Sequence, residues 1–318
     1  MQWNTQWKLL VKSLTKPVRV LICAALLMGF TPSLSAQDLG PQIKKVAAGI
    51  YVQTAGNPNS NCGIILTQDG VVLIDSGHNP TDSRVVLAAV KKLTALPIRY
   101  LINTEPHPDH VTGDFLFSPP AVVIAGEGAT ESIEKNNGPD WNKNLISKSD
   151  EMREAFSGYR RVTPQIEFHD KMTLHVGERT FILLSIKNVH SEADTAVWLP
   201  NERVLFSAAA AVPDRFNNIR AFVTIPDILN ATKMMKALNP EIVIPGHGEP
   251  GTTKIFDDSD QFYKLLLQRV AKLVREGKSL DQIKQEIRMP EYDNWAAKNR
   301  FDTNVEAAYR AVQAGYVP

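Results

Sequence analysis

The sequence has little cysteine and no long apolar run. Its 318 residues include two cysteines, Cys23 and Cys62. Cys23 lies in the apolar run 20–30, which has 11 residues, whereas a membrane-spanning helix needs roughly 20. If that N-terminal segment is removed, Cys62 alone remains, so we expect neither an intrachain disulfide nor stable membrane insertion of the mature chain.

The sequence also lacks an excess of charge of either sign. The chain carries 35 Lys and Arg and 34 Asp and Glu, and its first 36 residues contain four of the basic residues and none of the acidic ones. Without that segment the net charge is near −3. Such a balance gives nucleic acid or an anionic membrane surface little attraction, so we expect no nucleic-acid partner.

The N-terminal segment has the order of a secretory signal peptide. Basic residues come first, the apolar run follows, and the small residues of "TPSLSA" end at Ala36. This order is typical of a leader that is cleaved during export. We predict that residues 1–36 are a signal peptide and that the mature protein is periplasmic or secreted. The basic residues are Lys8, Lys12, Lys16 and Arg19.

Strand patterns alternate with helical patterns along residues 37–256. The runs "GIYVQ", "CGIILTQ" and "GVVLIDSG" read as strands. A helical segment follows them, with Thr81 or Asp82 as its candidate N-cap. After a polar stretch at 127–165, the strand rhythm restarts. The alternation predicts an α/β fold, and the two similar halves predict two sheets packed face to face with helices outside.

The last part of the chain is strongly helical. From Asp257 onward, apolar residues such as Phe262, Leu266 and Val270 form an amphipathic stripe. We predict that residues 257–318 are a C-terminal helical extension packed on the domain 37–256. Packing on a second subunit is the alternative, so the protein is expected to be a monomer or a homodimer.

Polar residues follow several of the predicted strands. Loops at the ends of strands often present functional groups, and imidazole and carboxylate are donors that Zn²⁺ accepts. A single histidine in such a place is usually a surface residue, but here four of the seven histidines occupy these positions. The residues are Asp75 after "VVLI", Glu105, His107, Asp109 and His110 after "YLINT", His190 after "LLSIKNV", the run "SAAA" after "VLF", and His247 after "EIVIP".

This pattern resembles that of the metallo-β-lactamase-fold hydrolases. In that superfamily an aspartate after an early strand is followed by H-x-H-x-D-H, a histidine, often an aspartate, and a final histidine. Here the order is "LIDSG", "EPHPDH", "VHSEADT" and "IPGHGEP". The resemblance spans about residues 45–250 and implies an α/β fold of the αββα sandwich type, with a metal cleft at the edge of the two sheets.

Two positions depart from the superfamily pattern. Glu105 replaces the first histidine of the motif, and Ala208 and Ala209 fall where many relatives have an aspartate that bridges two metals. The pattern is most similar to the metallo-β-lactamase subclass that lacks both the bridging aspartate and a cysteine ligand. We interpret the centre as altered but working.

Carried over by position, the resemblance implies two metal sites of three ligands each. The first set is Glu105, His107 and His190, and the second set is Asp109, His110 and His247.

Three of the polar residues have further implied roles. Asp75 would orient the ligands without touching metal, and Asp109 would orient the nucleophile as well as bind metal. Ser207 is a candidate to replace the lost aspartate through a hydrogen bond to a water in the second site.

The implied cofactor is Zn²⁺, two per chain. The carboxylate of Glu105 makes Mn²⁺ or Fe²⁺ more competitive than at an all-histidine site. The implied reaction is metal-assisted hydrolysis, in which a metal-bound hydroxide attacks the carbonyl of a small cyclic amide or ester, for example a β-lactam. The alternatives are a thioesterase or lactonase-type hydrolase, or a periplasmic binding or accessory protein that has kept the fold and lost catalysis.

Overall fold

The computed structural model describes residues 38–54, 59–136, 143–144 and 146–316. The predicted signal peptide lies outside these ranges, so it stays a prediction. Within them, no helix combines the length and the apolar character needed to cross a membrane.

The first sheet has seven strands in chain order. Strands β1 to β4 pair antiparallel, and β4 to β7 pair parallel. Because neighbouring parallel strands end at the same side, the loops after β4 and β5 begin next to each other. The strands are β1 Ile43–Ala47, β2 Ile50–Thr54, β3 Asn61–Thr67, β4 Gly70–Ile74, β5 Ile98–Ile102, β6 Val122–Gly126 and β7 Ile166–Phe168.

The second sheet has five strands in the order β12-β11-β10-β9-β8. Strands β8 to β11 form antiparallel pairs, and β12 joins the edge parallel to β11. The strands are β8 Lys171–Val176, β9 Arg179–Ser185, β10 Thr195–Leu199, β11 Val204–Phe206 and β12 Ile242–Ile244. The β8–β9 hairpin turns at Gly177, as the sequence predicts, with the left-handed φ of +55° that favours glycine.

Eight α-helices have both of their bounds within the described ranges. They are α1 Pro80–Leu93, α2 Pro108–Val111, α3 Ala129–Asn136, α4 Asp150–Ala155, α5 Ile225–Ala237, α6 Lys254–Arg275, α7 Leu280–Glu286 and α8 Phe301–Gln313.

The core consists of three layers of apolar side chains between and outside the sheets. Residues such as Ile65 and Val72 of the first sheet meet Phe181 and Val197 of the second. The outer face of the first sheet packs on α1 through Val86, among others. The outer face of the second sheet packs on α5 and on the C-terminal helices. The predicted αββα sandwich with a C-terminal helical extension is therefore confirmed.

The N-terminus of α1 differs from the prediction. The N-cap is Asn79, whose side chain accepts hydrogen bonds from the backbone N–H groups of Thr81 and Asp82 at 2.8 and 3.2 Å. The prediction of Thr81 or Asp82 was wrong because Pro80 takes the first helical position, where its missing N–H costs nothing.

The C-terminal extension is attached to the loop that follows β11. Ala296 forms an isolated bridge with Arg215, and the Asn304 side chain donates a hydrogen bond to the carbonyl of Asn217 at 2.9 Å. The Phe216 ring packs against Phe262 and Phe301 at centroid distances of 5.4 and 5.3 Å. The extension thus fixes the conformation of residues 214–217.

Arg179 ties the two sheets together far from these loops. It is buried, and its guanidinium donates to the carbonyls of Leu66 and Ala48 at 2.8 and 2.7 Å and to Glu202 at 2.6 Å. Removing one partner of a buried ion pair leaves the other uncompensated.

We predict that Arg179→Met lowers the free energy of unfolding by about 3 kcal/mol, because a carboxylate and two carbonyls lose their donor. Urea unfolding followed by circular dichroism measures this change. The matched control is Arg203→Met, which removes an arginine whose side chain is 40% exposed, lies 3.4 Å from Glu241 and donates to the carbonyl of Asn239 at the surface, and it is expected to cost about 1 kcal/mol or less. Equal losses in the two variants would refute the role of Arg179.

Candidate metal centre

The candidate ligands lie at the ends of strands from both sheets. Asp75 follows β4 and Glu105 follows β5 in the first sheet, while His190 follows β9 and His247 follows β12 in the second. All four side chains reach the edge where the sheets meet, as their distances below show.

Asp75 organises the floor of this edge. One carboxylate oxygen accepts the backbone N–H of Thr104 at 2.7 Å, and the other accepts the Thr104 hydroxyl at 2.6 Å and contacts His110 Nδ1 at 2.9 Å. His110 is held from behind in this way, and its Nε2 points toward the other candidate ligands. The Asp75 side chain thus contacts the far side of the His110 ring rather than the candidate ligand atoms, and this contact orients His110.

The first predicted ligand set is assembled. Glu105 Oε2 is in short contact with His107 Nδ1 and lies 3.5 Å from His190 Nε2. The His107 and His190 rings stand nearly perpendicular, with centroids 5.0 Å apart. All three side chains are buried. One ligand atom from each lies close enough to the others to hold a single metal ion.

The second predicted set is also assembled. His110 Nε2 lies 3.3 Å from His247 Nε2, and their rings form a second perpendicular pair with centroids 5.2 Å apart. Asp109 Oδ2 is 3.6 Å from His247 Nε2 and 3.9 Å from His110 Nε2. Glu105 Oε1 is 3.3 Å from His110 Nε2, and Glu105, His110 and His247 form a second group of mutually close ligand atoms. The sequence-based assignment placed Glu105 in the first set alone.

The electrostatic environment favours a cation at this edge. Burial acts to raise the pKa of Glu105, but the neighbouring imidazoles, His110 foremost, outweigh it and hold that pKa well below its ordinary value. Burial acts to lower the pKa of His110, but the charges of Glu105, Asp75 and Asp109 raise it to about 10. The three carboxylates around the His110 ring therefore create a site that favours positive charge.

Two other imidazole rings of the cluster, those of His190 and His247, are held neutral. Burial lowers the pKa of His190 well below its ordinary value and lowers that of His247 to about 4. A neutral imidazole is the form that binds metal.

Two buried polar atoms of the cluster have no hydrogen-bond partner among the described residues. They are Glu105 Oε1 and His190 Nδ1. Buried polar groups are rarely left unpaired in folded proteins, and a bound ion satisfies atoms of this kind. The donor set of imidazoles and carboxylates also suits Zn²⁺ and similar divalent ions, so the residues present fit a metal centre.

Asp194 supports the His190 loop and was missed by the sequence analysis. Its carboxylate accepts the backbone N–H groups of Val189, His190 and Ser191 at 3.2, 2.7 and 2.8 Å, and the Ser191 hydroxyl at 2.5 Å. Burial and the charge of Glu105 raise its pKa to about 7. An aspartate that follows Ser191 by three positions is a signal for such a turn, although the sequence alone does not show that the turn carries a ligand.

Ser207 and Ala208 occupy the end of β11. Ser207 Oγ is buried and has no hydrogen-bond partner among the described residues, so its predicted hydrogen bond to a water stays a prediction. Ala208 lines a small void of about 10 Å³ together with Asp75 and Thr104. This strand end contributes no carboxylate to the cluster.

A pocket of about 700 Å³ opens above the ligands. Its floor includes His107, Asp109, His190 and His247. The polar stretch 127–165 and the loop 210–225 contribute to its walls, His78 and Asn79 also line it, and the C-terminal extension adds a residue that the sequence did not predict. The wall residues include Asn144, Lys148, Met152, Val212, Arg215, Asn217, Arg220 and Arg300.

Fold and floor together define a candidate metal centre at the edge of an αββα sandwich. The family model of the metallo-beta-lactamase superfamily matches residues 55–247, which is more than half of the chain. The protein therefore belongs to the metallo-beta-lactamase superfamily, whose members generally bind divalent metal ions.

Similar proteins include sulfatases as well as β-lactamases. A linear primary-alkylsulfatase of Pseudomonas sp. is 25% identical over 225 residues, which cover 59% of this chain and 41% of that protein. A solved structure of a stereoselective inverting sec-alkylsulfatase, also from Pseudomonas sp., has a TM-score of 0.67 at 19% identity and covers 86% of this chain and 50% of that one. A metallo-beta-lactamase from Pontibacter korlensis has a TM-score of 0.55 at 17% identity, and the match covers 69% of this chain and 96% of that one.

The chain thus spans about half the length or less of the sulfatases that it matches. At these identities the structural likeness shows the fold, and the activity has to be argued from the site.

We predict that Asp75→Asn weakens metal binding by roughly 10- to 100-fold, because His110 loses the carboxylate that orients it. Competition with a fluorescent chelator measures the dissociation constant for Zn²⁺. Asp69→Asn, on the exposed β3–β4 turn, is the control and should bind like the wild type. Unchanged affinity in Asp75→Asn would show that His110 does not depend on this contact for metal binding.

Proposed function

We propose that the protein is an exported hydrolase that uses two divalent metal ions to cleave small anionic esters, with sulfate esters as the first candidates. The observation that carries this proposal is the position of the ligand cluster at the floor of a pocket whose walls are rich in arginine. Export rests on the basic, apolar and small segments of residues 1–36.

The proposed metal ligands are the two sets brought together at the sheet edge. Bound there, two divalent ions would supply an activated water and polarise the bond to be broken. Zn²⁺ is the expected ion, and the carboxylate oxygens of Glu105 and Asp109 leave Mn²⁺ and Fe²⁺ as alternatives.

The pocket walls carry a surplus of positive charge. Among the described residues that line the pocket, four are Lys or Arg and one, Asp109, is a carboxylate. Burial, and next the charge of Arg220, lower the pKa of Arg300 from its ordinary value. Such crowding of like charges is unfavourable on its own and is relieved by an anion between them. Sulfate, phosphate and carboxylate groups all match the planar donors of arginine.

The chain's own residues have separate roles in the proposed reaction. An organic sulfate and one water give an alcohol and hydrogen sulfate, so one proton leaves the water and one reaches the alcohol oxygen. Asp109 is placed to orient the water, since its side chain is 30% exposed and its Oδ2 lies 3.6 Å from His247. Arg300 is placed to hold the anionic group against the floor, together with Arg220, whose Nη1 donates a hydrogen bond to the carbonyl of His190 at 2.7 Å.

The sulfate-ester proposal is favoured over the β-lactam one by the sequence relative. The curated protein that matches at 25% identity is an alkylsulfatase, whereas the β-lactamase likeness is structural, at 17% identity. A β-lactam also carries a carboxylate, so the cationic walls accept it, and the fold keeps β-lactam hydrolysis as the second candidate.

We predict that the purified protein hydrolyses an alkyl sulfate or an aryl sulfate, that a chelator abolishes this activity, and that added Zn²⁺ or Mn²⁺ restores it. Release of alcohol from hexyl sulfate and of nitrophenol from nitrophenyl sulfate are the measurements, with nitrophenyl phosphate, nitrophenyl acetate, a lactone, a thioester and a chromogenic cephalosporin run in parallel. Turnover of the cephalosporin alone would replace the first candidate by the second. Tight metal binding with no turnover of any of them would instead favour a binding or accessory protein.

We predict that Arg300→Gln raises KM for the accepted anionic ester about tenfold, because the substrate loses one charge-assisted hydrogen bond. It should change kcat by less than about threefold, because the arginine binds substrate and transition state alike. Steady-state kinetics give both constants. Lys298→Gln is the matched control, since it removes the same charge from the same turn, at an exposed position that does not line this pocket. Equal effects of the two variants would show a general charge effect and refute recognition by Arg300.

A further inference from the structure

Two pairs of histidine rings divide the ligand cluster into two halves. His107 and His190 face each other at 5.0 Å and 84°, and His110 and His247 face each other at 5.2 Å and 83°. The candidate ligand atoms fall into two groups, one with His107 and His190 and the other with His110 and His247. The two groups are two candidate metal positions, and any ligand common to both has to lie between the pairs.

Glu105 lies between the two pairs and contacts both. Its Oε2 touches His107 Nδ1 and is 3.5 Å from His190 Nε2, on the first side. Its Oε1 is 3.3 Å from His110 Nε2, on the second side. The two oxygens of one carboxylate thus point to different halves of the cluster.

The other nearby carboxylates each serve one half only. Asp109 Oδ2 is 3.6 and 3.9 Å from the ring nitrogens of His247 and His110. Asp75 reaches His110 on the opposite side of its ring, at Nδ1. Among the described residues, Glu105 alone occurs in both groups of candidate ligands.

Burial makes the position of Glu105 costly unless both oxygens are compensated. The side chain is fully buried, and Oε1 makes no hydrogen bond among the described residues, although it lies 3.3 Å from His110 Nε2. A buried carboxylate oxygen without a hydrogen bond is destabilising. A cation on each side removes that cost for both oxygens.

We infer that Glu105 is a bridging ligand, with one carboxylate oxygen on each of the two metal ions. This inference rests on the proposed dinuclear centre and changes its ligand sets. Glu105, His107 and His190 hold one ion, and Asp109, His110, His247 and Glu105 hold the other. The two ions then share an anionic ligand, so that occupation of one position orients Glu105 for the other.

The test uses Mn²⁺ as the probe and has two readouts other than activity. Metal content after gel filtration gives the number of ions held, and electron paramagnetic resonance shows whether two Mn²⁺ ions are magnetically coupled. We expect two ions per chain in the wild type, with a coupled spectrum. Two ions without coupling would overturn the bridge while leaving the proposed dinuclear hydrolase intact.

Glu105→His and Glu105→Gln separate a bridging role from a ligand to one ion. A histidine supplies one donor to the first position only, and a glutamine keeps the shape but loses the charge. If Glu105 is a bridging ligand, Glu105→His abolishes the coupled spectrum. It also lowers the affinity for the ion at Asp109, His110 and His247 by roughly 100-fold. Glu105→Gln is expected to hold about one ion per chain. Unchanged affinity of the second ion in Glu105→His, with the coupled spectrum retained, would refute the bridge.

Glu192→Gln is the matched control for the loss of charge. Glu192 lies two residues beyond His190, and its side chain contacts Ser132 at 3.4 Å rather than the cluster. This variant should retain two coupled ions. A wild-type chain that binds less than one Mn²⁺ and less than one Zn²⁺ would overturn both the bridge and the proposed function.

Discussion

The hydrogen bonds of Asp75 are the constraint on which the rest of the centre depends. Asp75 follows β4 with a left-handed φ of +58°, and its carboxylate fixes both Thr104 and His110. The adjacent Ser76 adds two bonds to the carbonyl of His110, from its N–H at 3.0 Å and from its hydroxyl at 2.7 Å. Because Glu105 follows Thr104 directly, this one carboxylate sets the positions of side chains in both halves of the cluster. Such preorganisation is what metal chemistry requires of the surrounding protein.

Charge is distributed in opposite senses on the floor and the walls of the pocket. The floor concentrates three carboxylates around His110, which favours cations, while the walls concentrate Arg215, Arg220 and Arg300, which favour anions. Divalent ions on the floor would neutralise its carboxylates and leave the pocket positive overall. The same arrangement therefore suits both the proposed metal binding at depth and the proposed recognition of an anionic molecule at the entrance.

The sequence predicts the fold and the composition of the floor well, because both follow from local patterns. Strand ends can be read from apolar runs, and residues at the ends of neighbouring strands meet at one edge. The double contact of Glu105 could not be read in this way, since it depends on where two loops place individual oxygen atoms. The N-cap of α1 was wrong because Pro80 was not recognised as the first helical residue. No sequence pattern predicted Arg300 as a residue of the pocket. An arginine in a polar turn is ordinarily a solvated residue, and only the packing of Phe216 on the C-terminal helices brings it to the pocket.

Because the C-terminal extension is attached to the loop after β11, the shape of the pocket entrance depends on different parts of the chain from the floor. The floor is built from the ends of core strands, whereas part of the entrance is held by the bridge between Arg215 and Ala296 and by the hydrogen bond from Asn304 to Asn217. Changes in the terminal helices can therefore reshape what enters the pocket while the ion-binding geometry is left alone. A lineage in which this appendage diverges faster than the sandwich acquires new selectivity without having to reinvent its chemistry.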